Sequence, residues 1–447
     1  MIKTIRRIPQ WELLTQAAQI AAASGWHLYL VGGVVRDLLL AEARSESLSI
    51  TDIDLVVDGC DRVAEVGAGV QLAQALQQTY PEVHLDIHGT FQTAALVWPQ
   101  DSAFGALGVD IATARTESYA YPAANPDVSA SSIDRDLYRR DFTINALAWR
   151  LTPSPDPPLL DLFGGLIDLQ AKQLRVLHPD SFIDDPTRIF RGARFAVRLG
   201  FKFEPQTADY IRAAISSDIY VQTAQAHSRT PALQVRLKTE LKYLLQVSYW
   251  QPTIELLGDL DALQCIHPTL KLDRELLQQL RLLARCLTRF DLEKSISHWQ
   301  LRLESIIAYL APNYRSTVAQ NLQLSPDSIN RLANLERVQT DITRSLSNLQ
   351  PVSQVVRLLR QYDFETLVLV AVRCRNILLI RRQIWQYLTV WSRIQPILNG
   401  KDLQKLGYKP GQQYRQMLDE LLVATLDNLV IDRSTAEAFI RHNFPQS

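Results

Sequence analysis

Strand-forming runs crowd the first third of the chain and nearly stop after Arg150. "WHLYLVGG", "DIDLVV", "VHLDIHGTFQTAALVW" and "GVDIATART" alternate with helical patterns such as "VAEVGAGVQLAQALQQ" over the first 150 residues, which reads as an α/β head. A proline-rich linker, "LTPSPDPPLLD", follows. Beyond it the apolar spacing is helical almost to the end, as in "DRELLQQLRLLARCLTRF" and "RQIWQYLTVWSRI", so a long helical body is predicted. With 447 residues, 47% of them apolar, the chain has the material for two to four domains.

Charge and cysteines narrow the classes. Lys plus Arg and Asp plus Glu both total 47, so any basic surface for nucleic acid has to be local. Cys60, Cys265, Cys286 and Cys374 form no CxxC pair, which argues against a disulfide framework or zinc knuckle and fits a reducing cytoplasm. The N-terminus carries basic residues without an apolar core, and the richest apolar run, "LVLVAVRCRNILLI", holds Arg373 and Arg375 in its middle. No membrane segment is therefore expected.

Two short motifs carry chemistry. In "ITDIDLVVDG" the aspartates Asp52 and Asp54 are two apart in a strand pattern, so they share a face and repel. Such a pair either shares a proton or holds a divalent cation, although an isolated DxD is more often a solvated strand end. Upstream, "LYLVGGVVRDLLL" gives a strand, then Gly32 and Gly33, then a helix opening that includes Arg36. A Gly-Gly turn alone is usually only a turn. Ahead of a DxD it supplies backbone N–H groups for phosphate beside a metal holder, the equipment for nucleotidyl transfer.

"GGVVRDLLL", "DIDLVV", "RRDFTINALAW" (139–149), "DLFGGLIDLQAKQLR" (161–175) and "DDPTRIFRGARFAVRLGF" (184–201) follow one another in this order. Together they resemble the class II tRNA nucleotidyltransferase and bacterial poly(A) polymerase family, and "LNGKDLQKLGYKPG" (398–411) resembles a further element of its tail. The resemblance implies an α+β nucleotidyltransferase head with a mixed sheet over 1–150. An all-α neck over 151–270 and an all-α body and tail over 271–447 follow from it too. It implies CTP and ATP as substrates and two Mg²⁺ ions on Asp52 and Asp54, with Asp110 of "GVDIATART" as a third acid. Arg140 is matched to a nucleotide contact, Asp141 to an orienting acid and Asn145 to their neighbour, with Gly32, Gly33 and Arg36 on the phosphate side. Gly164 and Gly165 fall where the family has a hinge, or a plain turn.

"DDPTRIFRGARF" bears on nucleotide choice. Asp185 before Pro186 marks a helix start, and Arg188, Arg191 and Arg194 follow at steps of three, on one stripe with Asp185. Cytosine and adenine present an amine donor beside a ring acceptor, whereas guanine and uracil present the reverse. An Asp185 acceptor beside an Arg188 donor complements the first pattern. Asp184 stands where many family members carry Glu. Seven arginines lie between Arg357 and Arg393, interleaved with Trp385, Tyr387 and Trp391, so this stretch, with Arg373, Arg375, Arg381 and Arg382, is expected to grip the acceptor and TΨC arm of tRNA. "RLKTELKYLL" is expected to pack, with an internal Arg–Glu pair. The segment "SYAYPAANPDVSASSIDRDLY" is expected to be a loop, the element with which complete CCA enzymes switch from C to A. Full CCA addition, A-only or CC-only addition, a poly(A) polymerase and a non-catalytic RNA-binding relative are the readings in play.

Overall fold

The structure, a computed structural model, describes residues 10–44, 46, 50–59, 67–88, 92–156, 158–217, 231–291, 296–348 and 350–445. Cys60 and the basic N-terminal stretch lie outside them. The chain divides into two compact units, Met1–Glu240 with Ser248–Pro268, and Leu241–Val247 with Thr269–Ser447.

The first unit is built on a seven-stranded sheet in the order β3-β4-β5-β2-β1-β8-β9. Its strands are β1 (His27–Val31), β2 (Asp52–Asp58), β3 (His84–His88), β4 (Thr93–Val97), β5 (Gly108–Thr113), β8 (Ala148–Arg150) and β9 (Leu159–Leu160). Only β2 and β5 run parallel; every other neighbouring pair is antiparallel, so the sheet is mixed. Helices α1 (Trp11–Ala23), α2 (Gly33–Arg44) and α3 (Ala68–Thr79) accompany it. Alternation along β2 and β5 buries Ile53, Leu55, Val109 and Ile111 and turns Asp52, Asp54 and Asp110 to the open face. Gly69 lets α3 lie directly against β5, since a Cβ there would sit 2.6 Å from the Ala112 carbonyl carbon.

A separate ribbon, β6 (Arg115–Tyr119) with β7 (Pro126–Ala130), pairs only with itself. It leads into α4 (Ile133–Tyr138) and a 3₁₀ turn, Thr143–Asn145. The expected loop is therefore a hairpin followed by a helix; its Ser, Ala and Pro content hides a weak strand signal that cross-strand hydrogen bonds complete. After the linker come α5 (Gly165–Ala171), α6 (Ser181–Asp184), α7 (Thr187–Leu199), α8 (Pro205–Ser216), α9 (Pro231–Gln246) and α10 (Trp250–Asp259), with the short parallel pair β10 (Gln173–Leu174) and β11 (Lys202–Phe203). Gly164 is left-handed at φ +79°, and Asp161 accepts from the amides of Gly165 and Leu166 at 2.7 and 2.9 Å, a tightly bonded turn.

The described residues of the second unit are helical, from α11 (Arg274–Phe290) onward. "LNGKDLQKLGYKPG" opens a helix with a reciprocal Asn399–Asp402 capping box. Leu398, Leu403 and Tyr408 of that stretch pack with Met417, Leu421 and Ile440. No helix among the described residues is long and apolar enough to cross a membrane.

Candidate active site

One cavity of about 840 Å³ in the first unit gathers Gly32, Gly33, Arg36, Asp52, Asp54, Arg140, Asp141, Asn145, Asp185, Arg188, Arg191 and Arg194 among its lining residues. All the sequence-selected nucleotide residues and the aspartate pair thus share one space; Asp110 lies beside it on β5.

The carboxylates are placed by sheet register. Asp54 stands opposite Asp110 on β5 and Val31 on β1, and Asp52 opposite Gly108. Gly32 follows β1 at φ +74°, and a Cβ there would meet Asp54 Oδ2 at 3.1 Å and Arg140 Nη1 at 3.2 Å. A side chain at 32 would force those two groups aside. Burial, opposed by Arg140 but reinforced by Asp110 and Asp52, holds the Asp54 carboxyl above the usual range. Burial and the Asp52 charge do the same to Asp110. Carboxyls raised by burial and by one another's charge are the condition a divalent cation relieves. Among the described residues no three His, Cys, Asp or Glu side chains converge to enclose a metal by themselves. A cation on Asp52 and Asp54 would take further oxygens from phosphate and water, as Mg²⁺ usually does.

A buried polar network backs the cavity. Arg36 is 2% exposed; it donates to Asn145 Oδ1 at 2.5 Å and Asp37 at 2.8 Å, and its guanidinium lies 5.1 Å from the centre of the Phe195 ring. Its guanidinium is thus engaged within the protein. Asn145 passes the chain on to Asp141 at 2.9 Å, and Asp141 takes Arg191 Nε at 2.9 Å. Arg191 and Arg194 then reach Glu240 at 3.2 and 3.4 Å. Two expectations are corrected here. Arg191 and Arg194 of α7, read as facing Asp185, are answered by Asp141 and Glu240, while Arg188 bonds Ser181 and the Arg139 carbonyl. The pair within "RLKTELKYLL" does not form, because Glu240 faces α7 while Arg236 turns to Asp185 and to the carbonyls of Ala123 and Ala124.

Asp185 and Arg188, the pair expected to read the base, sit at the start of α7, whose first residue is Thr187, one later than the Pro186 read from sequence. Asp185 Oδ1 accepts from the Thr187 amide at 3.0 Å and its hydroxyl at 2.6 Å. Arg188, 6% exposed, donates to Ser181 Oγ and to the Arg139 carbonyl, each at 2.7 Å. Burial, partly offset by Arg188, raises the Asp184 carboxyl.

Several lining residues escaped sequence reasoning. Glu117 and Tyr119 arrive on the ribbon, where Tyr119 donates to Glu117 at 3.1 Å and Glu117 takes Arg139 at 2.7 Å. Asp136, fully buried, holds Arg139 at 2.7 Å and Arg140 at 3.0 Å. Its position three and four residues before those arginines on a helix was the signal available.

The arginines expected to hold RNA are largely engaged within the second unit. Arg373 donates to Gln339 and to the Ala308 carbonyl at 2.6 Å and to Glu336 at 3.1 Å. Arg375 pairs with Glu275 at 2.6 Å, and Arg381 donates to the Arg375 carbonyl at 3.0 Å. Arg382 is exposed.

Residues 28–175 match the model of the poly A polymerase head domain. The chain is 30% identical over 452 residues to the A-adding tRNA nucleotidyltransferase of Halalkalibacterium halodurans, covering 97% of this chain and 93% of that one. It is 32% identical over 409 residues to the A-adding tRNA nucleotidyltransferase of Geobacter sulfurreducens, covering 90% of this chain but spanning only 43% of that longer protein. Among solved structures it resembles the Thermotoga maritima CCA-adding enzyme complexed with tRNA, with a TM-score of 0.73 and 26% identity, covering 98% of this chain and 96% of that one.

Proposed function

The chain belongs to the tRNA nucleotidyltransferase family, and we propose from that premise that it extends the 3′ end of tRNA from CTP and ATP in the cytoplasm, without a nucleic-acid template. The observation that carries this reading is a single cavity that joins Asp52 and Asp54 to Asp185 and Arg188. In the proposed reaction the primer 3′ hydroxyl gives its proton to solvent as its oxygen bonds to the α-phosphorus, the bond from that phosphorus to the β-phosphate oxygen breaks, and pyrophosphate leaves with that electron pair.

Two Mg²⁺ ions on Asp52 and Asp54 would fit the crowding of these carboxylates beside Asp110; when bound they would supply Lewis-acid activation of the hydroxyl and triphosphate. The chain's own groups position the reactants. Gly32 and Gly33 let the triphosphate approach the first turn of α2, where unpaired N–H groups and the helix dipole favour it. Arg140, steadied by Asp136, adds positive charge beside Asp54. Asp185 and Arg188 offer an acceptor and a donor to the base edge, favouring cytosine and adenine over guanine and uracil. The helical second unit is the proposed holder of the tRNA acceptor and TΨC arm.

As to which nucleotides are added, addition of the terminal A alone is the finer proposal, supported by the A-adding relative that matches nearly end to end. Complete CCA addition is the second reading, supported by the likeness to the Thermotoga enzyme. Primer extension with Mg²⁺ on tRNA transcripts ending at the discriminator base, at CC and at CCA tests both. Single A addition to the CC primer alone supports the first reading and CCA on the shortest primer the second. Long A tracts on unrelated RNA would make the chain a poly(A) polymerase, and no product on any primer would leave a non-catalytic RNA-binding relative.

A further inference from the structure

Arg236, on α9, belongs to neither the aspartate pair nor the buried network behind the cavity. Its guanidinium reaches in two directions. Nη2 donates to the carbonyls of Ala124 at 3.2 Å and Ala123 at 3.3 Å, in the turn between β6 and β7 and more than a hundred residues away in sequence. Nη1 lies 3.8 Å from Asp185 Oδ2. The Nε is shut from solvent with no hydrogen-bond partner among the described residues, so the side chain's hydrogen bonding is carried by its Nη atoms.

The turn it holds is strained. Ala123 is buried and left-handed at φ +62°, a conformation in which a Cβ crowds the backbone, so the surroundings have to hold it there. The Asp185 end is equally specific. Oδ1 is taken by the Thr187 amide and hydroxyl, which leaves Oδ2, the oxygen facing Arg236, for the exocyclic amine of a base. At 3.8 Å the guanidinium is beyond hydrogen-bond distance. It stands beside the carboxylate without occupying the lone pairs a base needs.

We propose that Arg236 is a positioning residue for nucleotide choice, a clasp that ties the turn of the β6–β7 ribbon to Asp185. The base-reading carboxylate and the ribbon that brings Glu117 and Tyr119 to the cavity then keep one fixed stance. The inference rests on the proposed role of Asp185 and Arg188 in reading the base. Lysine does not replace arginine here, because an ammonium lacks the planar fork that spans two carbonyls and a carboxylate at once.

Hydrogen exchange over residues 115–130, calorimetric binding of each of the four nucleoside triphosphates, and primer extension are compared for wild type, Arg236→Ala and Arg236→Lys, with circular dichroism checking that each folds. In Arg236→Ala, exchange at the turn rises and affinity for ATP and CTP falls, each by roughly 10-fold, the usual scale for losing hydrogen bonds to a charged group. The loss appears in KM more than in kcat, and discrimination against GTP and UTP narrows. Arg236→Lys, which keeps the charge, loosens the ribbon as much while retaining more of the discrimination. Unchanged exchange at the turn in both variants would overturn the clasp, and an unaltered preference among the four nucleotides would overturn the positioning role. A wild type that extends no primer, with a ribbon that still loosens on substitution, would count against the functional reading and for the clasp, so the two failures are distinguishable.

Discussion

Asp141 is the joint of the buried network, and Asp141→Asn tests whether that network holds the cavity in shape. Its carboxylate accepts from Arg191 Nε at 2.9 Å, Asn145 Nδ2 at 2.9 Å and the Phe142 amide at 2.8 Å. Burial pushes its pKa up, but Arg191, the Asn145 amide and Arg188 outweigh that and hold it at about 2, against an ordinary 3.8. That gap corresponds to ~2.5 kcal/mol of folding stability. Asparagine keeps one acceptor and puts a donor where other donors already point, so the expected cost at pH 7 is roughly 2 to 4 kcal/mol. The sign with pH follows from the depressed value. The stabilisation is complete well above 3.8 and is lost as pH falls towards 2, with ~1 kcal/mol gone by pH 3. The variant has no such contribution to lose, so its stability and that of the wild type converge in acid. Urea unfolding followed by circular dichroism at pH 7, 5, 4 and 3 measures both, taking the transition that the substitution shifts. Equal stability at pH 7, or a gap that stays constant down to pH 3, would refute the reasoning.

Asp54→Asn should lower primer extension by at least roughly 100-fold; Mg²⁺ should raise the melting temperature of the wild type and not of the variant, and equal Mg²⁺ responses would count against a metal on this carboxylate. Gly32→Ala combines φ +74° with contacts of 3.1 and 3.2 Å to Asp54 and Arg140, so it should cost roughly 1 to 3 kcal/mol in stability and most of the activity; wild-type turnover would show the close approach to be dispensable. Arg188→Ala should let GTP and UTP compete with ATP and CTP in single-turnover assays, whereas full turnover with intact preference would remove Arg188 from base reading. Arg373→Ala should destabilise the second unit by roughly 2 kcal/mol through three lost partners, while Arg382→Ala leaves stability alone and weakens tRNA binding with a shallower salt slope; the opposite assignment in urea unfolding and salt-titrated binding would reverse their roles.

The parts that sequence made legible are those that local chemistry dictates. Two aspartates two apart in a strand have to share a face, and the structure puts both on the open face of β2. The halt of strand patterns after Arg150 corresponds to a sheet whose long strands all precede β8, with only two-residue strands beyond it. The missed parts depend on contacts that no local spacing encodes. Arg373 and Arg375 read as a basic surface, but their acidic partners Glu336 and Glu275 lie 37 and 100 residues away. Glu117 and Tyr119 were hidden because the ribbon that carries them is rich in small polar residues and proline, where strand propensity is weak and only pairing decides. The Arg–Glu expectation for "RLKTELKYLL" failed because helical neighbours at i and i+4 pair only when nothing better faces them; α7 offers Glu240 two arginines.

The network behind the cavity is closed by residues spread along most of the first unit. Arg36 meets Asn145 across 109 positions, and Arg191 meets Glu240 across 49. During synthesis, then, a head whose sheet has already formed still lacks the last anion of this cavity wall until residue 240 has left the ribosome. Stalled chains that end before α9 should be protease-resistant in the sheet and yet leave Arg191 and Arg194 without Glu240, so the cavity takes its final shape in one late step.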